Sequence, residues 1–259
     1  MDVDLPAVAA LIADPSRAAM LDALLSGGRH SARELAVAAG IAPSTATEHL
    51  DRLQRGGLVV TERVGRRREV RLAGPEVGRA LEALAAIAPR RPVTGLRAWH
   101  HGEALRAARS CYDHLAGQAG VALADGLVAG GVLRPGDGAF ALTDGGAERL
   151  ADFGLDVDAI LGARRATARG ERTLDDFGLD VAAIRSTRRA TARACVDWSE
   201  RRPHIGGALG AALLDTLLAR RWVAHAPQAT GAKAARGRVL RVTPAGRAGL
   251  REQLGVTVP

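Results

Sequence analysis

The sequence predicts a mainly α-helical fold that carries small β-hairpins. Apolar residues recur at helical spacing through the first ninety residues, and short β-rich runs are bounded by glycine and arginine. Aromatic residues make up only 3% of the chain, so Leu, Val, Ile and Ala must fill the core. A length of 259 residues allows one or two domains of ordinary size.

Three short helices are predicted in the first forty residues. Apolar residues at helical spacing mark the first helix across residues 5–12. Asp14 followed by Pro15 is a typical N-cap and N1 pair, and it predicts the start of the second helix. Ser31 and Glu34 have the spacing of a capping box, which predicts the start of the third.

A fourth helix is predicted from Pro43, after a glycine turn at Gly40. Ala46, Leu50 and Leu53 fall on one face of this helix. The opposite face is polar and carries Ser44, Thr45, Thr47, Glu48 and Arg52. Two helices joined by a tight glycine turn, the second with a polar outer face, form a helix-turn-helix. In such a motif the second helix enters the major groove with its N-terminal residues at the base edges.

A β-hairpin with an arginine-rich tip is predicted after the fourth helix. Leu58–Val60 is a β-rich run, Gly65 is a turn residue, and residues 69–72 alternate polar and apolar as a half-buried strand does. Five arginines are predicted to contact DNA phosphates, namely Arg52, Arg63, Arg66, Arg67 and Arg68. The alternative for such a run of charges is a solvated loop.

The first 85 residues resemble the ArsR/SmtB family of winged-helix repressors. The matching stretches are ADPSRAAMLDALL, SARELAVAAGIAPSTATEHLDRLQRGGLV and VGRRREVRL. The resemblance implies a homodimer that binds an imperfect palindrome in double-stranded DNA. It places Ser44, Thr45, Thr47 and His49 on the recognition helix. The predicted base-contacting residues are these four and Glu48.

Both familiar metal sites of that family are missing from the sequence. Members that sense arsenic or cadmium carry cysteines where this chain has Ala36 and Ala38. Other members place histidine and acidic ligands on the helix after the wing, which here reads EVGRALEALAAIA and has no histidine. We therefore expect any signal to be read elsewhere in the chain.

The C-terminal two thirds predict two degenerate winged-helix-like repeat units. Residues 114–129 align without gaps to residues 204–219, at an offset of 90. Each unit is expected to comprise a long helix, an Ala/Gly-rich helix, a turn, a strand and a final helix after Thr-x-x-Gly. The alternative is two unrelated helical hairpins.

A second repeat is nested between those units. Residues 152–169 recur as residues 176–193 with identity at 14 of 18 positions, which indicates a local tandem copy. The copy is either an inert spacer or a source of additional basic surface. The predicted domain boundaries are 1–88 for the winged helix-turn-helix, 96–157 for the first unit, 158–193 for the duplicated connection and 194–259 for the second unit.

One group of residues has the chemistry of metal ligands or of a sensor. Thiols, imidazoles and a carboxylate occur near each other in both units, so a site for Zn²⁺ or a softer ion is one hypothesis. Its ligands would be Cys111, His114, Cys195 and His204. The alternatives are structural roles, or a small-molecule effector pocket lined by Trp99, Cys111, Tyr112, Asp113, His114, Cys195, Asp197, Trp198 and His204.

The whole chain is basic, with a formal charge of +8 and a pI of about 11.0. This charge suits a polyanionic partner, although a GC-rich gene would give a similar arginine content. The final basic hairpin, with Lys233, Arg236, Arg238 and Arg241, is either a further DNA contact or a disordered loop.

These patterns together predict a sequence-specific DNA-binding transcriptional regulator, expected to be a repressor. We expect a homodimer in the bacterial cytoplasm, associated with the nucleoid, without catalytic residues or an organic cofactor. No catalytic motif, membrane-spanning stretch or signal peptide is recognised in the sequence. The rival hypotheses are a metal- or thiol-redox-sensing regulator that uses Cys111 and Cys195, and a non-specific architectural nucleic-acid-binding protein.

Overall fold

The computed structural model describes most of the chain as two compact units. The described residues are 3–25, 29–65, 67–89, 96–162, 191–226 and 238–259. The first unit comprises residues 1–90, 110–112 and 225–239, and the second comprises residues 91–109, 113–224 and 240–259. Within the described residues, no helix is both long enough and apolar enough to cross a bilayer.

The first 90 residues form five helices and one antiparallel hairpin within their described part. The elements are α1 (Leu5–Ala13), α2 (Pro15–Leu24), α3 (Ala32–Ala39), α4 (Pro43–Arg55), β1 (Val59–Val64), β2 (Arg67–Leu72) and α5 (Pro75–Ile87). In the hairpin, Val59 pairs with Leu72 and Val64 pairs with Arg67. This is the winged helix-turn-helix that the sequence predicts.

Local side-chain chemistry explains where these helices begin. The Asp14 carboxylate accepts hydrogen bonds from the amides at the start of α2, at 2.9–3.0 Å. At α3 the predicted capping box forms, since Ser31 accepts from the Glu34 amide and Glu34 accepts from the Ser31 amide. Gly40 ends α3 with a φ of +67°, a conformation that a glycine adopts without steric cost.

The core of the first unit lies beneath α4 and the hairpin. Met20, Leu21 and Leu24 of α2 are buried against Leu35 of α3 and Leu53 of α4, all at or below 1% exposure. These residues bury one stripe of each helix and leave the other stripes polar, as expected for helices at the surface of a small core.

An ion-pair network ties residue 238 to the helices of the first unit. The Arg238 guanidinium is buried, bonds to Glu82 of α5, and lies 2.5 Å from Asp22 of α2. Burial opposes the charge of Arg238, but the two carboxylates outweigh it and raise the pKa of the guanidinium. The prediction that Arg238 could touch DNA is therefore wrong, because its donors are engaged inside the protein. Lys233 and Arg236 lie outside the described residues.

The remainder of the chain repeats one order of elements twice within its described part. After α6 (Leu96–Ala107), the first series is β3 (Arg109–Cys111), β4 (His114–Ala116), α7 (Gly117–Ala129), β5 (Leu133–Pro135), β6 (Phe140–Leu142), α8 (Asp144–Asp152) and α9 (Val157–Gly162). The second is β7 (Arg193–Val196), β8 (Pro203–Gly206), α10 (Gly207–Ala219), β9 (Val223–His225), β10 (Leu240–Val242) and α11 (Pro244–Gly249), which continues as a π-helical turn (Leu250–Leu254). The two-repeat interpretation and its boundaries stay predictions.

One continuous core holds both series together in the second unit. Leu123 and Leu127 of α7 and Leu209, Leu213 and Leu217 of α10 are all at or below 2% exposure in this core. Large, fully buried aliphatic side chains on both helices make α7 and α10 interior helices.

The short hairpins β3–β4 and β7–β8 are features that the sequence pattern does not reveal. The expected long helix of the first unit is α6, but the hairpin β3–β4 lies between it and the Ala/Gly-rich helix α7. In the second unit the hairpin β7–β8 directly precedes α10, and the region expected to hold the long helix lies outside the described residues. Strands this short cannot show the alternation on which strand prediction depends. The final helices after Thr-x-x-Gly are confirmed, since Thr143 and Thr243 cap α8 and α11 by accepting from Gly146 and Gly246 amides.

Candidate nucleic-acid interface and a buried histidine–cysteine cluster

Helix α4 is amphipathic, with one buried apolar face and one exposed polar face. Ala46, Leu50 and Leu53 are buried at 0%, 6% and 0% exposure. The predicted polar residues on the other face are exposed in the isolated chain, namely Ser44, Thr45, Thr47, Glu48 and Arg52. The three buried apolar side chains fix the rotation of the helix about its own axis. Its polar face is therefore held toward solvent.

His49 differs from the other predicted base-contacting residues. It is half-buried, and its Nδ1 lies 3.4 Å from Nη1 of Arg17. The Arg17 guanidinium also donates to the carbonyl oxygens of Ala10 and Leu11, at 2.8 and 2.6 Å. Arg17 therefore links the end of α1 to α4, a role that no pattern in the sequence indicates.

The wing presents arginine at its tip and an ion-pair network at its base. Arg63, Arg67 and Arg68 are exposed, and Arg66 lies outside the described residues. At the base, Glu62 accepts from Arg71 at 2.7 Å and lies 2.8 Å from Arg29. The hydrogen bond from Arg71 holds the pKa of the Glu62 carboxyl below its usual value. The Glu62 carboxylate thus joins the two strands of the wing through Arg71.

A second set of predicted residues meets at the two short hairpins. Nε2 of His114 lies 3.1 Å from Nε2 of His204, and the two ring centroids are 5.0 Å apart. The thiols of Cys111 and Cys195 join them, and one donor atom from each of the four residues lies within 4.8 Å of the others. We call these four residues the histidine–cysteine cluster. Neither cysteine is in a disulfide.

The two hairpins explain why these four side chains converge. Cys195 and His204 are cross-strand partners in β7–β8, so their side chains point to the same side. Cys111 and His114 flank the turn of the hairpin β3–β4, so the hairpin itself sets their relative position. Each hairpin thus contributes one thiol and one imidazole.

Charged neighbours control the protonation of His114. Burial lowers the pKa of the imidazole, but the hydrogen bonds to Asp113 and Cys195 outweigh burial and raise it. The Asp113 contact joins Oδ1 to Nδ1 of His114 at 3.0 Å. His114 therefore directs its other nitrogen, Nε2, into the cluster.

Asp197 lies at the centre of a buried network that the sequence does not reveal. Its Oδ2 lies 3.0 Å from Nη2 of Arg109, and both side chains are at 0% exposure. The same oxygen accepts from the Gly117 amide at 2.7 Å, while Oδ1 accepts from the Ser199 hydroxyl at 2.7 Å. Burial opposes ionisation, yet Arg109 and these donors hold the pKa of Asp197 well below its usual range. Asp197 is a structural anion rather than a group with spare acceptors for a ligand.

The aromatic residues of the predicted effector pocket occupy different environments. Trp198 lies over the Arg109 guanidinium, 4.4 Å from ring centroid to Cζ. Trp99 on α6 is 50% exposed and contacts His100 edge-on. Tyr112 has a φ of 58° and lies in the first unit, where its side chain would be 3.1–3.3 Å from a Cβ at Gly78. The effector pocket stays a prediction.

Comparisons with known proteins find matches to the N-terminal region. A family model described as a helix-turn-helix domain matches residues 12–62. Among solved structures, the chain is similar to the homodimeric winged helix-turn-helix DNA-binding domain of a possible ArsR-family regulator from Mycobacterium bovis. That match has 32% identity, covers 32% of this chain and 76% of that one, and has a TM-score of 0.30. The chain is also similar to the cadmium metal-sensor CMTR from Mycobacterium tuberculosis. That match has 32% identity, covers 35% of this chain and 98% of the other, and has a TM-score of 0.29.

A curated relative matches the full length of the chain. It is the uncharacterized HTH-type transcriptional regulator YdfF of Bacillus subtilis (strain 168). The two proteins are 35% identical over 258 residues, and the alignment covers 100% of each. The similarity therefore extends through both units and is not confined to the helix-turn-helix. The predicted class of DNA-binding transcriptional regulator is confirmed, and the chain belongs to the family of HTH-type transcriptional regulators.

Proposed function

We propose that this regulator binds its operator sequence-specifically as a homodimer and represses transcription from it. The observation that carries the proposal is the exposed polar face of α4, held outward by Ala46, Leu50 and Leu53. A helix of this kind fits the major groove, where base edges offer a distinct pattern of donors and acceptors.

The residues of α4 and the wing take different roles in this proposal. Ser44, Thr45, Thr47 and Glu48 stand on the first half of α4 and read base edges, with His49 as the least accessible member. Arg52 and the wing arginines contact phosphates, which set the register and supply the part of the affinity that depends on salt. The phosphate-contacting residues are Arg52, Arg63, Arg66, Arg67 and Arg68.

Exposed apolar residues on α1 and α5 support the homodimer. Helix α1 is strongly apolar and buries none of its residues, and Leu5 is 63% exposed. On α5, Leu84 and Ile87 are 45% and 78% exposed. A second copy of the chain that covers these side chains would remove the unfavourable hydration of this apolar surface.

Base reading is tested by comparing a selected duplex with a random one. The duplex is selected by the protein from a randomised library, and affinities are measured at one salt concentration. Replacing Thr45 by alanine should weaken binding to the selected duplex by about 10- to 100-fold, the usual cost of removing the recognition of one base pair, and leave the random duplex unaffected. Thr257→Ala, an exposed threonine of the second unit, is the matched control. Equal wild-type affinity for both duplexes would support the architectural hypothesis instead.

Phosphate contact by the wing is tested by salt dependence. The double variant Arg67→Ala/Arg68→Ala should reduce the slope of log affinity against log salt by about 0.9 for each phosphate that the wing no longer neutralises. Arg134→Ala/Arg251→Ala removes the same charge from exposed positions of the second unit and should leave the slope unchanged. Equal slopes for the two double variants would refute the role of the wing.

The homodimer is tested by light scattering after size-exclusion chromatography. Leu5→Glu/Ile87→Glu should give a monomer, because charges would replace the apolar contact. Val37→Glu, at a position that is 68% exposed on α3, should leave the dimer intact. A monomeric wild type would refute this part of the proposal. A cytoplasmic, nucleoid-associated location and control by a small effector belong to the same proposal.

A further inference from the structure

We propose that the histidine–cysteine cluster is a tetrahedral metal site of the Cys₂His₂ type, for Zn²⁺ or a divalent ion of similar ligand preference. The four donors are the thiolates of Cys111 and Cys195 and the Nε2 atoms of His114 and His204. The site lies outside the helix-turn-helix and does not depend on the DNA-binding proposal.

The donor atoms already have nearly the spacing that such an ion imposes. Bonds of about 2.0–2.1 Å to nitrogen and about 2.3 Å to sulfur place tetrahedral donors roughly 3.3–3.8 Å apart. In the structure the two Nε2 atoms are 3.1 Å apart, and all four donors lie within 4.8 Å of one another. Side-chain adjustments of about one ångström would therefore close the site around an ion.

Each imidazole is backed by a carboxylate on the side away from the cluster. Nδ1 of His114 lies 3.0 Å from Oδ1 of Asp113, and Nδ1 of His204 lies 3.7 Å from Oδ2 of Asp197. A metal-bound histidine usually donates its second ring N–H to a carboxylate in this way, which orients the ring and strengthens the ligand. A carboxylate faces both histidines, although they come from hairpins 90 residues apart. The contact at His114 is within hydrogen-bond distance, whereas the one at His204 is longer and would have to shorten when an ion binds.

The carboxylates also create an electrostatic problem that a cation solves. If each neutral imidazole carries its proton on the Nδ1 that faces a carboxylate, both Nε2 lone pairs point at one another across 3.1 Å. Moving the His204 proton to Nε2 leaves its Nδ1 lone pair facing the Asp197 carboxylate, and among the described residues Nδ1 of His204 has no hydrogen-bond partner. A metal ion between the Nε2 atoms removes the repulsion and allows both Nδ1 protons to face their carboxylates. A second proton on His114 would remove it as well, and the metal titration below distinguishes the two.

The four residues of the cluster are largely shielded from solvent and closely packed. Cys111, His114 and His204 are at most 2% exposed, while Cys195 is half-buried and offers a route from solvent. Two glycines make space for the His114 ring, because a Cβ at Gly206 would lie 3.2 Å from its Nε2 and one at Gly210 would lie 3.0 Å from its Cβ. Two thiolates would neutralise a divalent ion at this depth, as a buried charge requires.

The test uses the full-length protein, stripped of metal by a chelator under reducing conditions and titrated with Co²⁺. We expect one equivalent to bind, with the visible bands of tetrahedral Co²⁺ and a thiolate-to-metal charge-transfer band, and Zn²⁺ should displace it. The double variant Cys111→Ser/Cys195→Ser should lose the charge-transfer band. His100→Gln/His101→Gln, which alters two exposed histidines on α6, should bind like the wild type.

A second variant keeps the test decisive if the cysteine variant fails to fold. Asp113→Asn retains all four ligands but removes the carboxylate behind His114, so it should keep the charge-transfer band and bind metal about 10- to 100-fold more weakly. The proposal is overturned if the reduced wild type shows no thiolate–Co²⁺ band. It is equally overturned if oxidation joins the two cysteines in a disulfide while the reduced protein binds no metal.

Discussion

Helices α4 and α10 have the same length of 13 residues, yet the protein uses them in opposite ways. Helix α4 buries three residues along a narrow stripe and leaves most of its surface exposed. Helix α10 buries six, among them Leu209, Leu213 and Leu217, and lies in the core of the second unit. The width of the apolar stripe therefore separates a helix that can present a face to a partner from one that stabilises the interior.

The exposed charges of α4 and the wing and the buried Arg109–Asp197 pair show a similar contrast. In the first unit, the polar face of α4 and the arginines of the wing are exposed. In the second unit, Arg109 and Asp197 are fully buried and bonded to one another. The exposed charge of α4 and the wing is available to a partner, whereas the Arg109–Asp197 pair serves the fold, as the buried Arg238–Glu82 pair does in the first unit.

The largest expected effect comes from breaking the buried pair. Asp197→Ala leaves the Arg109 charge uncompensated and three backbone donors unpaired, so it should destabilise the second unit by about 3–5 kcal/mol. Urea unfolding followed by tryptophan fluorescence reports this unit, since Trp99, Trp198 and Trp222 all belong to it. Asp215→Ala removes an exposed carboxylate from α10 and is the control. Equal midpoints for the two variants would show that the buried pair does not stabilise the unit.

A pair of helix variants tests the comparison of α10 with α4 directly. Leu213→Ala opens a cavity at a residue with 1% exposure and should cost about 2–5 kcal/mol of unfolding free energy without altering a DNA contact. Thr45→Ala should cost less than about 0.5 kcal/mol, as surface substitutions do, and weaken specific DNA binding. Urea unfolding and DNA affinity are measured on both variants, and a stability loss of similar size in each would contradict the distinction.

A smaller effect is expected at the start of α3. Ser31→Ala removes the hydroxyl that caps the Glu34 amide and should destabilise the first unit by about 1 kcal/mol. The loss should appear in urea unfolding followed by circular dichroism. Ser44→Ala, in the exposed first turn of α4, makes no cap hydrogen bond and should leave the curve unchanged.

The smallest effect concerns the pH dependence of the first unit. Burial lowers the pKa of His30, so the unfolded chain takes up a proton at a higher pH than the folded one does. Stability from this residue is complete above its unfolded pKa of about 6.5 and is lost as pH falls through the lower folded value. His30→Gln should therefore flatten the change in urea midpoint between pH 7.5 and pH 5.5. His101→Gln, an exposed histidine, should not change it.

Local chemistry explains which parts of the fold could be predicted from sequence. The capping box at Ser31, the N-cap at Asp14 and the amphipathic pattern of α4 each depend on residues within a few positions of one another. Such interactions form in the same way wherever the segment lies, so the pattern alone predicts the helix-turn-helix and its outward face.

Long-range pairing explains what could not be predicted. The residues were recognised as candidate ligands, but the short strands that carry Cys111 and Cys195 have no periodic signal. The contact between His114 and His204 joins positions 90 residues apart. No sequence pattern distinguishes Arg109 and Arg238 from surface arginines. Their burial becomes possible because the fold places the carboxylates of Asp197 and Glu82 beside them.

By itself, the sequence determined that this chain carries an amphipathic helix with a polar face, preceded by a glycine turn and followed by a basic wing. The tertiary structure decided which polar groups stay at the surface and which are enclosed. The reason is physical: helix periodicity and capping act over a few residues, whereas burial and charge pairing depend on which distant segments meet.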